Sequence, residues 1–198
     1  MGKKVVAIVG SYRKGGTIDT AVEAIMVGAR NNGAQTHTVY LTEQHIEFCS
    51  NCRSCTQTPG PERGKCPQRD DMEPILAEIE TADAIVLASP VNCGNVTAIF
   101  RRFLERLMGC AYWPWGQSAP TPRSKLRTQK AILVASSAMP GIMLPIFTGA
   151  STALRTAAKV IGAKTVDTMW IGLAAGRKHH PISLRVLARA RRIGMKLA

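Results

Sequence analysis

Apolar residues follow two alternating spacings along this chain. Four stretches are almost continuously apolar: Lys4 to Gly10 (KVVAIVG), Ala84 to Ser89 (AIVLAS), Lys130 to Ser136 (KAILVAS) and Thr165 to Gly172 (TVDTMWIG). Such runs are expected of strands covered by helices on both faces. A fifth, Thr36 to Leu41 (THTVYL), alternates polar and apolar residues and reads as an edge strand. Between them, helical spacing runs over Asp19 to Asn32, Asp70 to Thr81, Val96 to Met108, Phe147 to Ile161 and Ile182 to Leu197, with Asp70 and Asp71 after Pro67 expected to satisfy the free donors at the start of the second helix. Strict strand–helix alternation predicts a doubly wound α/β parallel sheet with right-handed crossovers, in the order 2-1-3-4-5. Two insertions interrupt it: Thr42 to Arg69, with four cysteines, and Cys110 to Gln129, with clustered aromatics and prolines. No repeat or low-complexity tract divides the chain, so residues 1–198 are expected to form one domain.

Composition narrows the classes. A chain of 198 residues with 45% hydrophobic and 20% charged residues is long enough to bury a core without staples. No apolar run approaches the ~20 residues of a membrane span, and "MGKKVVAIVG" lacks the apolar region and cleavage site of a signal peptide. A cytoplasmic protein without membrane attachment is expected. Its six cysteines are then expected as reduced thiols or metal ligands. The net charge of +13 points to an anionic partner: a phosphorylated cofactor, nucleic acid or anionic lipid. It is unevenly spread, with fifteen Lys and Arg from Arg106 onward against one acid, Asp167.

In open α/β sheets the ligand crevice lies beyond the carboxyl ends of the strands, where the order reverses. The first strand delivers Ser11 to Thr17 there. A loop feeding a helix offers free N–H groups and the positive dipole end, a site for an anion. Ser11 and Thr17 add hydroxyls, Arg13 and Lys14 charge, and Gly15 and Gly16 close backbone approach. A phosphate is the natural guest; the alternative is a polar turn without a ligand. Neither G-x-x-x-x-G-K-[ST] nor G-x-G-x-x-G occurs, which removes those two nucleotide-binding classes. The third strand ends in "SPVNCGNV" (Ser89 to Val96) and the fourth in "SSAMPG" (Ser136 to Gly141), whose amides and small residues suit a flat, hydrogen-bonding ring.

"GSYRKGG", the stretch Asp70 to Leu107 and "SSAMPG" resemble the NADPH-dependent FMN reductase and iron-sulfur flavoprotein group of the flavodoxin-like superfamily, in order from Lys4 to about Gly172. The resemblance implies a flavodoxin-like fold that binds FMN and takes electrons from NAD(P)H. It places Ser11, Arg13, Gly16, Thr17 and Ile18 at the phosphate, and Pro90, Val91, Asn92, Cys93, Gly94, Asn95 and Val96 along the isoalloxazine. Ser136, Ser137, Ala138 and Gly141 fall at its other edge. No catalytic side chain is demanded. A homodimer or homotetramer is implied, with a small-molecule or protein electron acceptor. Asn92 and Cys93 stand where relatives often carry aromatics, and Gly-Gly-Thr-Ile replaces the usual end of the phosphate loop.

Cys49, Cys52 and Cys55 recur at two-residue intervals, with Cys66 after ten more residues. Two-residue spacing suits a 4Fe-4S cluster or zinc, but the final gap, with Pro59, Gly60 and Pro61, is longer than in the compact motif of cluster-bearing relatives; the alternative is a metal-free loop packed near a flavin or a subunit contact. Cys93 and Cys110 are expected in or near the core, with the flavin edge a second position for Cys93. Trp113 and Trp115 are expected to pack locally or cover a neighbouring subunit's flavin. His179 and His180, beside Arg177 and Lys178, read as a basic exposed loop. Arg101, Arg102 and Arg106 are expected to meet solvent or acids. On the last helix, Arg185, Arg189, Arg192 and Lys196 oppose Val186, Leu187, Ala190, Ile193 and Leu197, a docked amphipathic helix that needs no nucleic acid.

Overall fold

The structure is a computed structural model and describes residues 2–123, 129–176 and 182–198. The expected loop at His179 and His180 lies outside these residues. Strands β1 (Lys4–Val9), β2 (Gln35–Tyr40), β3 (Ala84–Pro90), β6 (Lys130–Ser136) and β7 (Lys164–Ile171) form a parallel sheet in the order β2-β1-β3-β6-β7. A two-residue antiparallel ribbon, β4 (Ala111–Tyr112) with β5 (Thr121–Pro122), stands apart. With that ribbon set aside, the observed order is the expected 2-1-3-4-5.

The two faces of β1 show why continuous apolar strands were required. Val5, Ala7 and Val9 face α1 (Thr17–Asn31) and α6 (Leu184–Met195). Val6 and Ile8 face α2 (Met72–Glu80), α3 (Ala98–Arg106) and α5 (Ala150–Ile161). All five residues from Val5 to Val9 are fully buried, each large one contributing about 1.5–3 kcal/mol relative to exposure. On the second face Phe100 and Phe103 meet edge to face at 5.7 Å. The α1–α6 contact depends on glycine: a methyl on Gly194 would lie 1.9 Å from the Ile25 carbonyl, and one on Gly28 2.1 Å from that of Arg191. The last helix docks by Ala190, Ile193 and Leu197, as its amphipathic pattern required. No helix of the described residues is long and apolar enough to cross a membrane.

Some boundaries differ from expectation. Asp70 and Asp71 do not open α2 as a pair of caps. Asp71 occupies the N-cap without a side-chain cap bond, and its carboxylate accepts from the His45 amide at 2.6 Å. Asp70 accepts from the Met72 amide at 3.1 Å but is chiefly the partner of Arg106. The helix expected over Phe147 to Ile161 is broken at Thr148 and Gly149, giving a short α4 (Leu144–Phe147) and then α5. That break lets Gly149 donate to the Gly94 carbonyl at 2.8 Å, a bond across the crevice that helical periodicity does not anticipate.

Candidate functional site

The tips of β1 and β3 are locked together by backbone and hydroxyl bonds. Gly10 donates to the Ala88 carbonyl at 2.8 Å, and the Thr97 hydroxyl donates to the Gly10 carbonyl at 2.6 Å. Thr97 also caps α3 by accepting from the Phe100 amide, while its own amide donates to the Ser89 hydroxyl at 3.1 Å. Gly10 admits no substitute, since a Cβ there would sit 2.7 Å from Cβ of Phe100.

Beyond this lock the chain makes a tight polar loop. The buried Ser11 hydroxyl accepts from the Arg13 amide at 3.2 Å, an ST turn that folds the backbone back on itself. Gly15 takes φ +69°, a conformation that side chains disfavour, and donates to the Asp19 carboxylate at 2.6 Å. Asp19 also accepts from the Tyr40 hydroxyl at 2.6 Å. That bond, with burial and the surrounding carboxylates, pushes the Tyr40 phenol up to about 12. Lys14 lies 4.7 Å over the Tyr40 ring and pairs with Glu43. Helix α1 starts at Thr17 behind Gly16, with no side chain capping it. Its first amides are thus left for an external acceptor, and the positive dipole end points the same way.

The second lip is a type I′ turn. Asn92 and Asn95 exchange backbone bonds at 2.8 and 3.0 Å, and Cys93 and Gly94 take φ of 47° and 75°. Val91 donates to the Ser136 carbonyl at 2.7 Å, joining this lip to the β6 tip. There Ser137 and Ala174 tie the loop to the chain leaving β7: Ser137 donates to the Ile171 carbonyl and accepts from the Ala174 amide, both at 2.9 Å. Gly141 and Gly172 meet so closely that a Cβ on Gly172 would lie 2.1 Å from the Gly141 nitrogen.

The β1 and β3 loops are therefore linked through Thr97 and the β3 and β6 loops through Val91, while Gly149 ties the β3 loop to the start of α5. Within them, Ile18 and Val96 have buried side chains and offer the crevice only their backbones. Asn92, Cys93, Gly94 and Ala138 are exposed. Cys93 is not a core residue. The structure adds Tyr12, whose side chain is half-exposed and whose hydroxyl accepts from the Ile99 amide of α3 at 3.3 Å, and Thr97 itself. Thr97 carried a sequence signal, a threonine immediately before a helical run. Gly149 and Gly172 carried none, because their partners lie far away in sequence.

The cysteine insertion is built differently. Ten residues separate Cys55 from Cys66, but the segment folds back on itself. Gly64 packs where a Cβ would lie 1.7 Å from the Cys55 carbonyl, and its amide donates to the Gly109 carbonyl at 2.9 Å. Arg123 donates to the carbonyls of Cys55, Thr58 and Gly60. Arg63 forks onto Glu73 and reaches Glu80, which holds the segment against α2. Arg53, at φ 59°, lies against Trp113 and Trp115, 3.9 and 4.2 Å from their ring centres, and donates to the Trp113 carbonyl at 2.7 Å. The two tryptophans thus have a partner within the chain.

Burial, and then the nearby Cys66, Cys49 and Cys52, push the Cys55 thiol above its ordinary value. Bonds from Ser54 and Ser50 lower that of Cys52. All four are free thiols. Among the described residues, no three His, Cys, Asp or Glu side chains converge tightly enough for a single metal ion. Cys110 is half-buried, with its thiol raised by burial to about 12.

Sheet order, crevice position and loop chemistry define a flavodoxin-like protein. The chain belongs to the NADPH-dependent FMN reductase family, which it matches over residues 3–178. It is similar to an iron-sulfur flavoprotein of Archaeoglobus fulgidus, 34% identical over 111 residues that cover 56% of this chain and 48% of that protein. An iron-sulfur flavoprotein of Methanosarcina thermophila is 30% identical over 103 residues, covering 52% and 51%. The chain thus spans about half the length of these curated relatives. Among solved structures, an NAD(P)H:quinone oxidoreductase from Methanothermobacter marburgensis shares the fold, with a TM-score of 0.70, 21% identity and full coverage of both chains. An azoreductase from Bacillus anthracis does so at 0.69 and 14%, covering 98% of this chain and 99% of that one.

Proposed function

We propose that this chain binds FMN in the β1–β3–β6 crevice and acts as an NAD(P)H-dependent oxidoreductase. The observation that carries this reading is the uncapped start of α1 behind the Ser11–Gly16 turn. It leaves the first amides of α1 without a side-chain cap and puts Arg13 at their edge, while the Gly15 amide is held by the Asp19 carboxylate. In this reading Ser11, Gly16, Thr17 and the Ile18 amide hold the phosphate. Pro90, Val91 and the Asn92–Val96 turn, with Asn95 fixed against Gly149, line one edge of the ring. Ser136, Ser137, Ala138 and Gly141 line the other. When bound, FMN supplies the capacity to accept a hydride from NAD(P)H and pass its electrons to an acceptor such as a quinone or free flavin. The amides of the type I′ turn orient the ring and offset negative charge at its polar edge. Exposed Ile142, Ile146 and Phe147 beside the crevice suit a homo-oligomeric contact that would shield it from water.

The test is a visible spectrum of the purified protein, before and after NADPH. The expected result is a two-banded flavin spectrum that bleaches on reduction. Protein that neither carries flavin nor takes up added FMN sinks the proposal. Arg13→Ala is expected to weaken FMN binding by about tenfold or less, the worth of one exposed charge-assisted bond.

A second reading concerns Cys49, Cys52, Cys55 and Cys66, and is favoured by the packing of Gly64 onto the Cys55 carbonyl, which folds the segment before Cys66 back towards Cys55. Four thiols on one segment supply the ligand number of a 4Fe-4S cluster. When bound, the cluster supplies one-electron exchange with the flavin. Iron and sulfide analysis after anaerobic reconstitution tests it: about four of each per chain is expected, and none rejects it.

A further inference from the structure

We infer that Arg106 is a positioning residue for the four-thiol site, fixing Cys66 and tying that site to the helix that starts at the flavin crevice. The inference rests on the four-thiol reading above. Arg106 ends α3 with a side chain only 2% exposed, and Asp70, its ion-pair partner, is 1% exposed. Its guanidinium forks onto both Asp70 oxygens and donates to the Glu47 carbonyl at 2.8 Å. The remaining Nη2 direction reaches Sγ of Cys66 at 3.6 Å. Asp70 is held in turn by the Glu47 and Met72 amides, at 2.8 and 3.1 Å.

This is the layout of an outer-shell support: a carboxylate orients a cation, and the cation orients a ligand atom. A buried guanidinium needs acceptors for its remaining protons, and Sγ of Cys66 meets one of them while Nε has none among the described residues. An N–H aimed at a cluster sulfur favours the more negative, reduced state. Helix α3 carries the same residue's backbone. At its other end, Thr97 bonds to Gly10 and Ser89 in the crevice. Nine residues rising 1.5 Å each separate Thr97 from Arg106 by about 14 Å. One rigid strut therefore holds both sites at a fixed spacing.

The experiment reconstitutes wild type, Arg106→Lys, Arg106→Gln and the double variant Asp70→Asn/Arg106→Gln with ferrous iron and sulfide under anaerobic conditions. Two quantities are read: the rate at which an iron chelator strips the protein, and the midpoint potential followed by EPR. Both Gln variants are expected to lose iron about 10–100-fold faster than wild type, as outer-shell losses do, and to show a lower potential. The Lys variant, which keeps charge but not the fork, falls between, and FMN uptake is unchanged throughout. The double variant leaves no unpaired buried charge, so it reports on the site even where the single one fails to fold. Wild-type stripping rate and potential in the double variant overturn the role of Arg106 while leaving the four-thiol reading intact. Wild-type protein that takes up no iron or sulfide overturns both.

Discussion

The crevice at the strand tips and the cysteine insertion differ in what holds them. In the crevice, main-chain groups do most of the holding: the Asn92–Asn95 turn, the Gly10–Ala88 and Val91–Ser136 bonds, and glycines packed against carbonyls. Its charged side chains, Arg13 and Lys14, are exposed. In the insertion, guanidinium groups hold the backbone: Arg53 against two indoles, Arg63 on α2, Arg106 on Asp70, Arg123 on five carbonyls. A site framed by backbone distributes its stability over many bonds. A segment framed by buried cations concentrates it in a few side chains, so single substitutions should separate the two.

The largest expected effect is at Arg106→Met, which strands the Asp70 carboxylate in a site 1% exposed. Unfolding in denaturant should show a loss of about 3–5 kcal/mol, whereas Asp70→Asn/Arg106→Met should recover most of it. An equal loss in both would mean that the pair's shape, not its charge, supports the insertion. Acid probes the same pair without mutation. Burial acts to raise the Asp70 carboxyl, but Arg106 and the Glu47 and Met72 amides outweigh it and hold it below its ordinary value of 3.8. A depressed folded value means that the contribution is complete above 3.8 and fades as pH falls through the lower, folded value. Wild type should therefore lose its stability margin over Asp70→Asn in that acid window. A margin that is independent of pH would contradict the assignment.

On the crevice side, Thr97→Val removes the α3 cap and the bond to Gly10. The expected cost is about 0.5–2 kcal/mol, with FMN still bound; loss of the whole fold would show that the crevice is not held in parallel by its backbone. The smallest effect is at Tyr40. Its folded value, raised to about 12 from 10.0, favours the neutral phenol, so its contribution is complete below 10.0 and is lost as pH rises towards 12. Tyr40→Phe should abolish that alkaline decline, which a spectroscopic titration of phenolate would follow.

The same contrast explains what the sequence could reveal. Strands buried on both faces announce themselves as apolar runs, so β1, β3 and β6, the sheet order and the three loops were legible from local pattern, whereas β7, expected to be covered on both faces, is an edge strand with Val166 exposed. The type I′ turn was less so, because Cys93 sits where asparagine or glycine is usual. The insertion was opaque for a physical reason. Asp70 looked like a helix cap because carboxylates before helices usually are, yet its partner lies 36 residues away. Nothing in "RRFLER" distinguishes the buried Arg106 from its exposed neighbour Arg101. The gap of ten residues before Cys66 seemed too long for a compact site, and only Gly64, folded onto Cys55, shows how it closes.

The packing of Arg53 against Trp113 and Trp115 gives the cysteine segment its own optical gauge. Arg53 is next to Cys52 in sequence, so a rearrangement of the thiols must tug the cation seated against the two indoles. Indole emission responds to a charge at such range, and the third tryptophan, Trp170, lies away on the sheet as a steady background. Ultraviolet fluorescence alone, with no attached dye, would then report a change in that loop when iron and sulfide are added.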